Sequence, residues 1–107
     1  MTGQDRNYDV RENEAEHRFE IDLGSGERAI AVYHLEGKTI AFTHTVVPEA
    51  FEGRGVGSAL VRFALDSARE RGLKVEPACS FFAQYMHRHE EVQDLLTPES
   101  RDRLNLS

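Results

Sequence analysis

The stretch Val46-Val47-Pro48-Glu49-Ala50-Phe51-Glu52-Gly53-Arg54-Gly55-Val56-Gly57-Ser58 decides the fold. A β-branched run stops at a proline, which has no N–H to give to a ladder. Three glycines follow at alternate positions, and an amphipathic helix begins at once. Val56, Leu60, Phe63 and Ala64 fall on one helical face, widened by Val61, Leu65 and Ala68. Arg62, Asp66, Arg69 and Glu70 fall on the other, and Gly72 stands where a helix C-terminal glycine belongs. The spacing predicts a helix over 55–71, about 25 Å long.

Working outward, the segments on either side read as strands. Phe19, Ile21 and Leu23 alternate with Glu20 and Asp22, the period of a half-buried strand. Gly24-Ser25-Gly26 turns into a second run over 28–35, and Gly37-Lys38 into a third over 39–47. Links this short predict antiparallel hairpins. After the helix, 73–76 reads as a short strand closed by Pro77, Ser80 as the N-cap of a helix through Phe82, Tyr85 and Met86, and 90–96 as a further short helix. Strands 39–47 and 73–76 are linked through the long helix, so they are expected to run parallel, with a right-handed crossover. The fold class is therefore α+β. Antiparallel N-terminal strands and a parallel strand make one mixed sheet, with a central crossover helix and short C-terminal helices. One domain is expected over 10–97, between a flexible tail at 1–9 and a polar C-terminal tail at 98–107.

At 107 residues the chain suits one domain and is too short for a TIM barrel or a complete dinucleotide-binding fold. The longest apolar run, Ala29 to Tyr33, reaches neither the length of a membrane-spanning helix nor that of a secretory signal. A lone cysteine, Cys79, forms no internal disulfide and no Cys-rich zinc framework, and a cytoplasmic protein is the expectation. His87 and His89 are two apart and share no helix face, so no metal site is expected. A net charge of −6 argues against nucleic acid. Within 53–89, however, six basic residues face three acidic ones. Such an island suits a small anion; a solvated helix face produces the same pattern.

The glycine loop carries the chemistry. Glycines let the backbone approach a ligand, and the first N–H groups of a helix have no internal partner. With the helix dipole behind them, such amides bind phosphate groups, and Arg54 adds a charge-assisted contact. A P-loop needs Gly-Lys-Ser/Thr, and this loop has no lysine. The Rossmann fingerprint needs a sixth-position glycine, where Ser58 stands.

The arrangement Arg54-Gly55-Val56-Gly57, with its helix and the preceding strand, resembles the acetyl-CoA-binding motif of the Gcn5-related N-acetyltransferases. The resemblance implies a diphosphate of coenzyme A held on the amides of Arg54, Gly55, Val56, Gly57 and Ser58. It also implies a pantetheine arm lying beside Val46 and Val47 like an added strand. The segments 42–48 and 75–82, then Tyr85 and Arg88-His89, are similar to the very small NATD1-like subgroup, over roughly residues 10–97. Two positions depart from the pattern. Glu52 stands where Gln or Arg is usual, and Glu90 where Pro is usual.

The subgroup resemblance also implies roles for single residues. It places Cys79 near the thioester and pairs it with His44 across a slot between strands 39–47 and 73–76. In direct transfer, His44 or a water takes a proton from the attacking amine, and Tyr85 protonates the leaving thiolate. In the alternative, Cys79 accepts the acetyl group first and hands it on. Direct transfer is the preferred expectation. Without the resemblance, Cys79 reads as a small buried hydrophobe, His44 as an ordinary strand residue and Tyr85 as core. The leading functional expectation is an acetyl-CoA-dependent N-acetyltransferase acting on a small-molecule or exposed protein amine. A coenzyme-A-binding sensor or interaction module with little catalysis is the second, and a plain interaction domain the third. Larger relatives carry helices between their first strands, whereas 22–28 leaves only a turn, so a short, open acceptor groove is expected. Neither the acceptor nor the oligomeric state can be read from the sequence.

Overall fold

A computed structural model describes residues 8–106. Its strands are β1 (Val10–Asn13), β2 (Arg18–Gly24), β3 (Glu27–Glu36), β4 (Thr39–Val46) and β5 (Lys74–Pro77). Its helices are α1 (Val56–Glu70), α2 (Ser80–Arg88) and α3 (Pro98–Arg103), with 3-10 segments at Glu49–Phe51 and Glu90–Leu95. The strands lie side by side in chain order, all antiparallel except β4 and β5, which are parallel and joined by α1. The α+β mixed sheet is the expected one.

The core forms where the periods meet. Phe19 and Ile21 of β2, Ala29, Ala31 and Tyr33 of β3, and Ile40 and Phe42 of β4 are buried. Against them α1 lays Leu60, Val61, Ala64, Leu65 and Ala68. Helix α2 packs on the same face, with the ring of Phe82 stacked on Phe42 at 4.1 Å between centroids. Phe63 is not a core residue, as its place on the apolar face implied. It is 42% exposed and meets the edge of Phe19 from the rim of the stripe.

Register within the sheet controls what reaches the site. Tyr33 pairs with Phe42 but Val32 pairs with His44, so Thr43 is an extra residue in β4. A bulge of this kind inverts the facing of everything beyond it. Thr45, opposite buried Ala31, therefore shares the core face, and His44, opposite Val32, takes the other.

The ends differ from expectation. Of the tail expected at 1–9, residues 1–7 lie outside the described residues. Tyr8 packs on the core, and its hydroxyl donates to Arg54 O at 3.1 Å. At the other end 98–103 is helix, not tail. Thr97 Oγ1 caps it by accepting the Ser100 N–H at 3.1 Å, Pro98 starts it, and Leu104 and Leu106 pack on the core. Ser80 is the first helical residue of α2, not its cap. The cap position is Cys79, which makes no side-chain capping bond.

The cationic island is largely structural. The Arg69 guanidinium forks onto Asp94, both N···O distances being 2.9 Å, and holds that carboxyl below the usual aspartate range. Arg71 reaches Glu12, and Lys74 Nζ donates to Asp94 O. Glu12 also accepts the Tyr33 hydroxyl at 2.5 Å. Burial, then that carboxylate, pushes the hydroxyl well above the ordinary tyrosine range. These contacts clamp α1 to β1 and to the segment before α3.

Thr97→Ala should lower stability by about 1 kcal/mol in urea unfolding, the usual worth of an N-cap. A silent substitution would mean that 98–103 contributes nothing to the fold.

Candidate active site

The parallel pairing of β4 and β5 stops at Phe42 and Pro77. There the Phe42 carbonyl accepts the N–H groups of both Ala78 and Cys79, at 2.9 and 3.0 Å. Beyond that point β5 turns into α2, and β4 runs on from Thr43 to Val46 with no strand beside it on that edge. The two strands thus splay.

After β4 the chain makes one 3-10 turn at Glu49–Phe51, then enters α1 through Gly55, whose φ of +83° favours glycine. Among the described residues no side chain caps this helix. Its first internal bond runs from Ala59 N–H to Gly55 O, so the amides of Val56, Gly57 and Ser58 precede the ladder. The Arg54 guanidinium lies 5.3 Å from the centroid of the Phe51 ring, and the Tyr8 hydroxyl holds the Arg54 carbonyl. The loop is therefore tied down from two sides while the amides opening α1 stay outside its ladder.

Between loop and splay lies a cavity of about 490 Å³, within the range of small-ligand sites. Thr45, Val46 and Val47 form one wall, Phe51, Glu52 and Gly53 a second, and Gly57 and Phe81 a third. A Cβ at Gly57 would stand 2.2 Å from Phe81 Cζ, so any larger residue there must push that exposed ring out of its place on the cavity wall. These residues fit a coenzyme A arm: an unpaired strand edge for its amides, apolar walls for its methylenes, helix-start amides for its phosphates.

The residues expected at the site divide. Val46, Val47 and Gly57 line the cavity. Arg54, Gly55, Val56 and Ser58 belong to the adjoining loop and first turn but not to its wall, and the Val56 side chain is buried in the core. Cys79 reaches the slot, yet its partner is Thr45, with Sγ 3.1 Å from Oγ1, and not His44. The bulge at Thr43 explains the exchange. It leaves His44 exposed on the opposite face, with Nδ1 against Thr43 Oγ1 at 3.1 Å. Tyr85 is half-buried, its ring stacked on His89 at 4.0 Å, and it lines no part of the cavity. Sequence reasoning did not select Thr45, Phe51 or Phe81 for the site. The exposed aromatic at 81 beside a helix start was the available signal for Phe81; nothing in Thr43-His44-Thr45 tells which threonine faces inward.

A family model described as GCN5-related N-acetyl-transferase matches residues 18–95, most of the described chain. This chain belongs to that family. It is 34% identical to Protein NATD1 of Xenopus tropicalis over 79 residues, 72% of each chain. With Protein NATD1 of Danio rerio it shares 32% identity over 88 residues, 80% of each. Among solved structures, the solution NMR structure of a GCN5-like candidate N-acetyltransferase from Staphylococcus aureus superposes with a TM-score of 0.70 at 26% identity. That match covers 86% of this chain and 90% of the other. By domain and fold the protein is an acyltransferase. Among the described residues no helix is long and apolar enough to cross a membrane, and no cluster of three or more His, Cys, Asp or Glu is placed to hold a metal ion.

Gly57→Ala should leave the fold intact and weaken coenzyme A binding by about tenfold, as an overpacked contact costing ~1.4 kcal/mol requires. Gly57→Ala combined with Phe81→Ala should recover part of the loss in titration calorimetry.

Proposed function

We propose that this protein moves the acetyl group of acetyl-CoA to an amine by direct attack. The observation that carries the reading is the splay beyond Phe42 and Pro77. It leaves an unpaired strand edge running from the Thr45–Cys79 pair to the helix-start amides, along one wall of a single cavity. In this reading the diphosphate rests on amides from Arg54 to Ser58, and the pantetheine arm pairs beside Val46 and Val47. The thioester then lies at Thr45 and Cys79.

There the amine nitrogen attacks the thioester carbonyl carbon. The C–N bond forms, the C–S bond breaks, and coenzyme A departs as a thiolate that takes up a proton. The Thr45 hydroxyl or the Cys79 thiol donates to the carbonyl oxygen as charge develops on it, the way an oxyanion hole works. The amine's proton leaves through water, with His44 on the far face of β4 as an acceptor reached through solvent. Tyr85 stacks on His89 at the end of α2 and packs against the core.

A second reading, a coenzyme-A-binding module with little turnover, draws on one observation: Glu52 stands on the wall of a site for an anion. Glu52→Gln should tighten coenzyme A binding about threefold at low salt and less at high salt, since the repulsion it relieves is screened.

Acetyl-CoA thiol release with a panel of amines tests the main reading. Release should depend on the amine, with no acetyl adduct on Cys79 by mass spectrometry. Cys79→Ala should slow turnover by about tenfold, less than the roughly hundredfold or more that loss of a sole oxyanion donor costs, because the Thr45 hydroxyl remains. His44→Ala and Tyr85→Phe should cost less. An acetylated Cys79 formed without acceptor, together with an inactive Cys79→Ala, would overturn direct attack. Tight coenzyme binding without turnover on any amine would favour the module.

A further inference from the structure

A second cavity, of about 300 Å³, opens beside Cys79. It shares no wall residue with the first. The two meet at the Thr45–Cys79 pair, with Thr45 on the wall of one and Cys79 on the wall of the other. Cys79, Ser80 and Ala83 bring the end of β5 and the start of α2; Ser100, Arg103 and Leu104 bring α3. Its surface is apolar or hydroxyl-bearing, and Arg103 is the one charged side chain among the described residues that line it.

Arg103 is set in place from below. Its Nη2 donates to Ser100 Oγ at 3.2 Å, and Ser100, 1% exposed, also accepts the Thr97 hydroxyl at 2.8 Å. Glu76 Oε2 forms an ion pair with Nη2 at 3.8 Å, a distance too long for a hydrogen bond. Nε and Nη1 have no partner among the described residues. Ser100 takes one of the two N–H groups of Nη2, so the other, with Nε or Nη1 beside it, leaves one fork whose two parallel N–H bonds match a carboxylate. Cys79 lines the same cavity.

We propose that this cavity binds a small molecule bearing a carboxylate, held by Arg103, and that it is the acceptor site, so the acceptor class is an amine that also carries a carboxylate. The acceptor role rests on the acetyl-transfer reading; the carboxylate site does not. An amine anchored this way presents its nitrogen toward Cys79 and Thr45, where the first cavity ends.

Two measurements separate these claims. The first is acetyl-CoA thiol release with γ-aminobutyrate and with its carboxamide, acceptors of equal length. The native protein should show a KM about fivefold lower for the carboxylate, the worth of a charged hydrogen bond discounted for a half-exposed arginine. Arg103→Gln should abolish the preference by raising the KM for the carboxylate to that for the carboxamide, with the KM for acetyl-CoA unmoved, and Arg103→Lys should keep part of it. Equal use of both acceptors by the native protein, or a preference that survives Arg103→Gln, overturns the proposal.

The second needs no turnover: iodoacetamide labelling of Cys79, followed by mass spectrometry, with and without γ-aminobutyrate. The compound should slow labelling of the native protein and not of Arg103→Gln, while the carboxamide protects neither. Absence of protection overturns the carboxylate site. Protection without thiol release on any amine leaves that site standing and overturns the acceptor role together with the acetyl-transfer reading.

Discussion

One carbonyl group organises the molecule. Phe42 O accepts two N–H groups from the strand beside it, and after that β4 and β5 share no further bond. Before this point the pair is an ordinary parallel ladder covered by α1. After it, two chains leave in different directions and expose backbone that a globular core would normally pair. Unpaired strand backbone is costly unless it meets water or a ligand. The fold keeps the cost down by making the open segment short, from Thr43 to Val46, and by ending it at Pro48, which has no N–H to lose. The gap is held apart by buried aromatic packing, since the stack of Phe42 on Phe82 fixes α2 just beyond the last shared bond.

Most of that framework is legible in the sequence because it rests on local rules. The helix after Gly55 shows a strong period and a glycine just beyond its end. The strand alternation at Phe19 and Ile21, the tight turns and the parallel crossover follow from spacing alone. The site was half legible. Val46, Val47 and Gly57, which the family resemblance put beside a coenzyme, lie on the wall of the first cavity. The Thr45–Cys79 pair could not be assigned. It depends on a single extra residue at Thr43, and a bulge is a tertiary compromise that leaves no mark in Thr43-His44-Thr45. Helix α3 escaped for a different reason. Its six residues are all polar or Pro, and its hold on the core comes from a buried serine and the leucines after it.

Charge was misleading in an instructive way. Arginines between 53 and 89 look like an anion site, but Arg69 and Arg71 are spent on Asp94 and Glu12, and the Arg54 guanidinium leans on Phe51. In the proposed reading the ligand's phosphates rest on backbone amides. Amides at a helix start offer fixed geometry with no side-chain entropy to lose, and they attract phosphate without depending on a surface cation. This also explains how Glu52 is tolerated on the cavity wall. In the proposed reading an exposed carboxylate opposes the coenzyme weakly and is screened by salt, whereas amides touching its diphosphate would not be.

The small size of the chain reassigns structural duties. Only a turn joins β2 to β3, so nothing there can wall off an acceptor. The wall beside Cys79 is instead built by the last helix of the domain, through Ser100, Arg103 and Leu104. That helix is docked rather than tethered. Leu96 bridges to Val75 at the sheet edge, Thr97 N–H donates to Val75 O, and the Thr97 cap starts α3 from that anchor. Its position is therefore set by β5, the same strand whose end carries Cys79. A change in how α3 docks would move Arg103 relative to the sulfur without touching the coenzyme cavity. The two cavities are thus mechanically separable although they meet at one hydrogen bond.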